Sequence, residues 1–208
     1  MPPIDFNLYL ITDRLNLPAG KDLVTQVEAA LRGGVRAEQL REKDLLFHQL
    51  LPIAQKLRQL TRRYDARLLI NGNLDVALTV EADGVHLPSH NPPIALARNI
   101  LGEQAVIGVS THSLAEVSAA ELARADFVTF GPVYATASKA GLGTPTGPEL
   151  LGKACRQSRI PVFALGGVTP ERIAELRGTG CTHVACIGAL LNVEEPQTAA
   201  ENFLARQK

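Results

Sequence analysis

Two glycine-containing turns near the C-terminal end of the chain have the composition of a phosphate site. Gly166 and Gly167 lie in the segment ALGGVTP and Gly188 lies in CIGA, and each segment follows a short apolar run and opens a predicted helix. Glycine lets an anion approach bare backbone N–H groups, and such groups at the start of a helix attract anions. The two turns together predict a phosphate bound between Gly167 and Gly188. The alternative is that the three glycines only allow tight turns.

The segment QLREKD is a second candidate for anion binding. Alternation along an extended strand places Gln39 and Arg41 on the same face. Arg41 would bind an anionic group through its planar guanidinium, and Lys43 would act as a point charge. The alternative is that the neighbouring Glu42 and Asp44 pair with these cations on a solvated rim.

His112 is the best candidate for acid/base catalysis. An imidazole titrates near neutral pH, and the segment Ser110–His112 directly follows an apolar run. Asn71 and His86 end two other runs, and His86 is expected to be a hydrogen-bonded interior histidine. The alternative for His112 is a packing role, in which Ser113 caps the following helix.

A long segment between residues 131 and 147, GPVYATASKAGLGTPTG, is rich in Gly, Ser and Thr and contains Lys139. A loop of this length in a compact domain is usually a lid or a binding loop. The segment is therefore predicted to contribute to ligand binding.

Eight short apolar runs, alternating with amphipathic stretches, must position these residues. The predicted strands are Leu8–Thr12, Val35–Arg41, Arg67–Ile70, Asp83–Leu87, Ala105–Val109, Phe127–Phe130, Pro161–Leu165 and His183–Ile187. The predicted helical stretches include Lys21–Arg32, Leu45–Tyr64, Leu74–Glu81, Pro93–Leu101, Leu114–Ala123 and Pro170–Arg177. Eight such βα units favour a closed (β/α)₈ TIM barrel over a doubly wound sheet.

A barrel of this kind carries its chemistry at the C-terminal ends of its strands and in the loops that follow them. The candidate residues follow predicted strands, so we expect them around one mouth. Arg36 and Glu38 alternate to the opposite face, towards the helices, where apolar residues are expected. Mutual pairing is the only account that the sequence offers for them.

The composition indicates a small-molecule partner. Of the 208 residues 46% are hydrophobic, and 21 Lys and Arg balance 21 Asp and Glu. We therefore expect one domain over residues 1–208, with no charged tract for nucleic acid or a membrane. The three cysteines have no CxxC spacing, so neither a disulfide framework nor a zinc site is indicated. The N-terminus lacks the pattern of a signal peptide or a membrane span, which predicts a cytoplasmic protein.

Six ordered motifs resemble, over nearly the whole chain, the thiamine-phosphate synthase family and its paralogue, the thiazole tautomerase. The matching segments are YLITDR (Tyr9–Arg14), QLREKD (Gln39–Asp44), DGVHL (Asp83–Leu87), GVSTHS (Gly108–Ser113), FGPVYATASK (Phe130–Lys139) and ALGGVTP (Ala164–Pro170). The resemblance implies a (β/α)₈ barrel, a homodimer, and thiazole phosphate bound to the backbone of Gly167, Ile187 and Gly188.

The resemblance also implies a second group of substrate-binding residues. Residues that match the pyrimidine and diphosphate side of the synthase are Gln39, Arg41, Lys43, Thr136, Ser138 and Lys139. Asn71 and Ser110, which directly follow predicted strands three and five, complete the predicted substrate-binding set.

Two positions distinguish the two activities. A synthase must assist the departure of diphosphate with Mg²⁺ held by carboxylates. The Asn-Asp motif of the synthases reads Asn71-Gly72 here, and the second acidic ligand aligns with Asn91. The tautomerase branch resembles this chain in having Asn-Gly and, after strand four, Leu-Pro-Ser, as in Leu87–Ser89.

We therefore expect an isomerase, a thiazole tautomerase that needs no metal or other cofactor and uses His112 as its acid/base. The alternative is a thiamine-phosphate synthase, a transferase that would need Mg²⁺. A third hypothesis is a non-catalytic phosphate-binding regulator, which would keep the glycine turns but would need no titrating histidine.

Overall fold

Eight parallel strands form a closed barrel in the computed structural model, which describes residues 4–88, 92–136 and 144–207. The strands are β1 (Leu8–Ile11), β2 (Ala37–Leu40), β3 (Arg67–Asn71), β4 (Gly84–Leu87), β5 (Val106–Thr111), β6 (Phe127–Phe130), β7 (Val162–Leu165) and β8 (His183–Cys186). They pair in sequence order, and β8 pairs with β1 to close the sheet. The predicted (β/α)₈ barrel is confirmed.

Helices follow the strands and cover the outside of the barrel. They are α1 (Leu23–Arg32), α2 (Phe47–Arg63), α3 (Leu74–Thr79), α4 (Ile94–Leu101), α5 (Leu114–Leu122), α6 (Gly147–Gln157), α7 (Ile173–Gly178), α8 (Gly188–Leu191) and α9 (Pro196–Gln207). The predicted stretch Pro170–Arg177 divides into a 3₁₀ turn, Pro170–Arg172, and α7. Among the helices that the structure describes, none is long and apolar enough to cross a membrane.

The interior of the barrel is filled by aromatic rings towards its N-terminal end. Tyr9, Phe127 and Phe163 alternate inward from three strands, and the ring centroids of Phe127 and Phe163 are 5.0 Å apart. Phe6, which precedes β1, contacts all three rings. These packed rings block the N-terminal end, so a ligand must enter from the C-terminal end of the strands.

Arg36 and Glu38 do not pair, and the predicted pairing is wrong. The Arg36 guanidinium donates to the carbonyl oxygens of Leu31 at 3.1 Å and Val35 at 2.8 Å. Leu31 lies in the last turn of α1, and its carbonyl also accepts from the backbone N–H of Gly34 at 3.0 Å. Glu38 on β2 is fully buried, and no described residue donates to its carboxyl oxygens. Burial raises the pKa of Glu38 well above its ordinary value.

Candidate active site

Two adjoining cavities open at the C-terminal ends of the strands. One has a volume of about 750 Å³ and is bordered by the turns after β7 and β8. The other has a volume of about 670 Å³ and is bordered by the ends of β2, β3, β4 and β5. Asp13, Leu165 and Ile187 line both. We call them the glycine cavity and the cation cavity.

The glycine cavity is formed by the two glycine turns that the sequence singles out. Gly166 and Gly167 have φ angles of 98° and 63°, a left-handed conformation that favours glycine. A Cβ atom on Gly167 would lie 2.7 Å from the carbonyl oxygen of Ala135, so no larger residue fits without movement. Ile187 and Gly188 form the opposite wall, where α8 begins. The cavity therefore has backbone N–H groups on two sides.

The cation cavity contains Arg41 and Lys43 from the segment after β2. Burial lowers the pKa of Arg41, and the neighbouring Arg41 charge lowers the pKa of Lys43. The backbone N–H of Arg41 donates to the hydroxyl of Thr12 at 2.8 Å, which fixes the start of this segment. Gln39 lies deeper, with its amide nitrogen 3.2 Å from the hydroxyl of Tyr9.

The alternative in which Glu42 and Asp44 form ion pairs with these cations on a solvated rim is not observed. Both acidic side chains turn to Arg14 instead: Glu42 accepts from its backbone N–H at 3.1 Å, and Asp44 accepts from its guanidinium. Across the described ranges, Arg41 and Lys43 form no ion pair within 4.0 Å. Two cations are thus available at one cavity for an anionic ligand.

His112 lies at the rim of the cation cavity, after β5. Its Nδ1 atom is 2.5 Å from the carbonyl oxygen of Gly131, so Nδ1 must carry a proton and donate. In the neutral ring Nε2 is then an acceptor. Ser113 caps α5 by accepting from the backbone N–H of Glu116 at 3.2 Å, so this cap exists beside a cavity-lining His112.

His86 reaches the cation cavity from the inside of the barrel. It is buried, and its Nε2 atom lies 3.0 Å from the hydroxyl of Ser110, which confirms the expected hydrogen-bonded interior histidine. Burial, assisted by the charge of Arg41, lowers the pKa of His86 to about 3. A Cβ atom on Gly108 would lie 2.7 Å from the His86 ring, so glycine at this point of β5 makes room for the imidazole.

The predicted site residues divide between the two cavities. Gln39, Arg41, Lys43, Asn71, Ser110 and His112 line the cation cavity, and Gly167, Ile187 and Gly188 line the glycine cavity. Thr136, expected on the pyrimidine and diphosphate side, lines the glycine cavity. Ser138 and Lys139 lie outside the described residues.

Asp13 was missed by the sequence analysis, although it borders both cavities. The signal was present, because Asp13 comes two residues after the end of β1 and polar residues after barrel strands are candidates for function. Asn16 donates to its carboxylate at 2.8 Å. Asp13 is therefore a carboxylate held at the junction of the two cavities.

The described residues do not fit the magnesium site of a synthase. Gly72 has no side chain to offer, and Pro88 lies 3.5 Å from the position of its absent Cβ atom. Asn91 lies outside the described residues. Asp13 is the one carboxylate that the described residues contribute to either cavity, and nowhere among them do three His, Cys, Asp or Glu side chains form a metal-binding group.

Comparisons with known proteins agree on one family. A family profile described as thiamine monophosphate synthase matches residues 8–190. A putative thiamine-phosphate synthase of Geobacter sulfurreducens is 48% identical, over 99% of this chain and 96% of the relative. A thiamine-phosphate synthase of Clostridium novyi is 38% identical, over 96% of this chain and 98% of the relative. The solved thiamine phosphate pyrophosphorylase from Pyrococcus furiosus has a TM-score of 0.87 and 36% identity, over 97% of this chain and 95% of that one.

These comparisons correct the predicted activity: thiazole tautomerase, an isomerase, is wrong. The similar proteins are named as synthases or as a pyrophosphorylase across nearly the full chain. The prediction gave more weight to the changes at Gly72 and Asn91 than to the retained Gln39, Arg41 and Lys43. The alternative that the sequence left open, a transferase, is the better-supported reading.

Proposed function

The chain belongs to the thiamine monophosphate synthase family, and we propose on that basis that it is a thiamine-phosphate synthase. It joins hydroxymethylpyrimidine diphosphate to thiazole phosphate. The thiazole nitrogen forms a C–N bond with the methylene carbon of the pyrimidine, and the C–O bond to diphosphate breaks. The electron pair of that bond leaves with the diphosphate, so the products are thiamine phosphate and inorganic diphosphate.

The observation that carries this proposal is the pair of adjoining cavities. A reaction that joins two anionic substrates needs two anion sites whose ligands can meet. The glycine cavity and the cation cavity share Asp13, Leu165 and Ile187, so ligands bound in the two cavities would lie next to each other at this border. An isomerisation of one thiazole phosphate would need one such cavity.

Thiazole phosphate is assigned to the glycine cavity. Its phosphate binds the backbone at Gly167, Ile187 and Gly188, because these turns present N–H groups without bulky side chains. Thr136 lines the same cavity and is assigned to the same ligand. The thiazole ring then extends towards Leu165, at the border with the second cavity.

The diphosphate of the other substrate is assigned to Arg41 and Lys43. Repulsion from Arg41 lowers the pKa of Lys43, and a polyanionic ligand between them relieves this repulsion. As the C–O bond breaks, negative charge grows on the diphosphate, and fixed cations stabilise it more than in the ground state. Ser138 and Lys139, which the resemblance places on the same side, stay predictions.

The pyrimidine ring is assigned to Gln39, Asn71, Ser110 and His112, which surround the rest of the cation cavity. The His112 side chain is held by Gly131 with Nε2 as an acceptor, so it suits a substrate N–H group. No proton moves to or from carbon in the joining reaction. In this proposal His112 therefore binds and orients the substrate. It has no acid/base role, because that role belonged to the tautomerase reaction.

Magnesium is the cofactor that the family resemblance implies for a synthase, and it would neutralise the departing diphosphate when bound. Because the described residues do not fit a two-carboxylate site, we assign charge compensation to Arg41 and Lys43. No step of the proposed reaction is assigned to a metal ligand of this chain.

We also propose that the enzyme is a cytoplasmic homodimer that acts on small molecules, without nucleic acid or a membrane as partner. The formal net charge of zero supports this, because it provides no electrostatic attraction for polyanions or anionic lipid. Leu46 and Phe47, 65% and 43% exposed, are apolar residues that a second copy would cover. Light scattering on the purified protein measures the oligomeric state directly.

The experiment that tests the activity supplies both substrates to the purified protein and follows both products by mass spectrometry. We expect thiamine phosphate and inorganic diphosphate in equal amounts, and neither product when one substrate is omitted. Arg41→Met serves as the matched variant, since methionine retains an unbranched chain of similar length and removes the charge of the guanidinium.

The expected loss in Arg41→Met is about 10²-fold or more in kcat/KM, of the size found when one donor that stabilises developing charge is removed. Absence of product from the unmodified protein, with and without added Mg²⁺, contradicts the proposed function. Equal activity of Arg41→Met and the unmodified protein contradicts the assignment of Arg41 alone.

A further inference from the structure

Arg172 connects the two segments that form one wall of the glycine cavity. It ends the 3₁₀ turn that follows the glycine turn after β7, and its guanidinium donates to the carbonyl oxygen of Gly167 at 2.5 Å. The same guanidinium stacks on the ring of Tyr134, with its central carbon 4.1 Å from the ring centroid. Neither Arg172 nor Tyr134 lines the cavity.

Tyr134 belongs to the connection between β6 and α6, and several contacts tie it to the turn after β7. Its backbone N–H donates to the carbonyl of Gly166 at 3.0 Å, and its hydroxyl donates to Glu175 on α7 at 2.7 Å. Burial and the Glu175 carboxylate raise the pKa of Tyr134, so the hydroxyl stays protonated as a donor. The Tyr134 ring beneath Arg172 is therefore fixed by its backbone at one end and by its hydroxyl at the other.

The hydrogen bond from Arg172 decides where the adjacent N–H group points. The carbonyl of Gly167 and the N–H of Val168 belong to one planar trans peptide, in which they point in opposite directions. Because Arg172 lies outside the cavity, the carbonyl that it holds points away and the Val168 N–H points towards the cavity. Val168 is 4% exposed, and no described residue accepts a hydrogen bond from this N–H group.

An N–H group at a cavity wall that has no acceptor within the protein can donate to a ligand bound there. The left-handed φ of Gly167 permits more than one peptide orientation, so the turn alone does not fix this group. We propose that Arg172 is a positioning residue for the phosphate of the thiazole substrate. It clamps the Gly167 carbonyl, aims the Val168 N–H at the phosphate, and uses Tyr134 as its support.

The clamp needs arginine because two different contacts are made by one side chain. The edge of the planar guanidinium donates to Gly167 while its face stacks on Tyr134. Lysine keeps the charge but cannot make both contacts. The identity of the ligand rests on the proposed function, whereas the effect of the clamp on a bound phosphate does not.

The binding experiment uses Arg172→Lys, with Arg177→Lys as the matched control. Arg177 is an exposed arginine on α7, so the control makes the same change close by without touching the clamp. Calorimetry with inorganic phosphate and with thiazole phosphate measures affinity without turnover. We expect Arg172→Lys to weaken both ligands about tenfold, and Arg177→Lys to leave both unchanged.

A second pair of variants tests the support. Tyr134→Phe keeps the ring and loses only the hydroxyl, and we expect it to bind phosphate nearly as well as the unmodified protein. Tyr134→Leu removes the ring face, and we expect it to match Arg172→Lys. This pair also decides the matter if Arg172→Lys does not fold.

Turnover separates positioning from a general structural defect. In Arg172→Lys the KM for thiazole phosphate is expected to rise about tenfold, with kcat and the KM for pyrimidine diphosphate nearly unchanged, because ground-state and transition-state binding are lost equally. Unchanged phosphate affinity in both Arg172→Lys and Tyr134→Leu overturns the clamp. An enzyme that fails to make thiamine phosphate but loses phosphate affinity in these variants contradicts the proposed function and leaves the clamp supported.

Discussion

The Nε2 atom of His86 lies 3.0 Å from the hydroxyl oxygen of Ser110 at the wall of the cation cavity. The other ring nitrogen, Nδ1, is buried, and the described residues supply no hydrogen-bond partner for it. An unpaired buried N–H is rare because it forfeits its hydrogen bond to water. We therefore expect the neutral ring to carry its proton on Nε2 and to donate to Ser110, which leaves the Ser110 hydroxyl to donate to substrate.

The first prediction concerns this pair. His86→Leu is expected to raise the KM for pyrimidine diphosphate about tenfold, because Ser110 loses the group that orients its hydroxyl. If the two side chains act together, the double variant with Ser110→Ala is no worse than Ser110→Ala alone. Steady-state kinetics of the three variants measure this. Losses that simply add would mean that His86 and Ser110 act independently.

The pH profile provides the control for that prediction. Burial lowers the pKa of His86 to about 3, so the ring stays neutral throughout the neutral range. Replacing His86 is therefore expected to leave the shape of the kcat/KM profile between about pH 6 and pH 8 unchanged. A titration step near pH 6.5 that disappears in His86→Leu contradicts the buried neutral ring.

Gly188 provides a test of the glycine cavity. A Cβ atom at this position would lie 3.3 Å from the amide nitrogen of Asn192, a tight contact at the cavity wall. We expect Gly188→Val to weaken thiazole phosphate binding at least about tenfold, measured by calorimetry. Gly178→Val is the matched control, because no atom lies within 4 Å of a Cβ atom there. Equal affinities in the two variants would place the phosphate elsewhere.

Restoring a carboxylate at Gly72 tests the role of magnesium. The φ of 65° is one that Asp tolerates better than most residues, and the added Cβ atom would make only an ordinary contact with Pro88. We expect Gly72→Asp to bind Mg²⁺ about tenfold more tightly than the unmodified protein, measured by calorimetric titration with Mg²⁺. Gly72→Asn, which adds an amide without charge, is the control. Identical magnesium titrations of the unmodified protein and Gly72→Asp contradict this expectation.

The buried carboxyl of Glu38 predicts that stability falls as the pH rises. Its folded pKa is raised by burial, so the unfolded chain loses the proton at a lower pH than the folded protein. Above about pH 4.3 the free energy of unfolding therefore decreases by up to about 1.4 kcal/mol per pH unit, until the folded pKa is reached. Glu38→Gln cannot ionise and is expected to be more stable than the unmodified protein at pH 8.

Urea unfolding at pH 4 and at pH 8 measures this difference. At pH 4 the folded protein and most of the unfolded chains keep the Glu38 proton, so the advantage of Glu38→Gln is expected to be small. An advantage of equal size at both pH values would mean that the substitution changes packing and that ionisation of Glu38 is not the cause.

The sequence was sufficient for the architecture and for most of the residues at the barrel mouth, although it missed Asp13. Alternation of apolar runs and helical stretches predicted all eight strands, because each βα unit is determined by local periodicity. Strand ends then identified Gln39, Arg41, Ser110 and His112 as cavity residues, since parallel strands in a closed barrel end at one face. Activity was predicted less well, because two substituted metal positions were treated as decisive for the reaction.

Contacts between distant segments were decided by the tertiary structure alone. Closure of β8 onto β1 places Asp13 and Ile187, which follow these two strands, at the border that the two cavities share. The stacking of Arg172 on Tyr134 likewise depends on how the loops after β6 and β7 meet. Periodicity determines which face of an element a residue lies on. The partner of a polar group is selected by three-dimensional geometry, because each donor binds the nearest well-oriented acceptor whatever its distance along the chain.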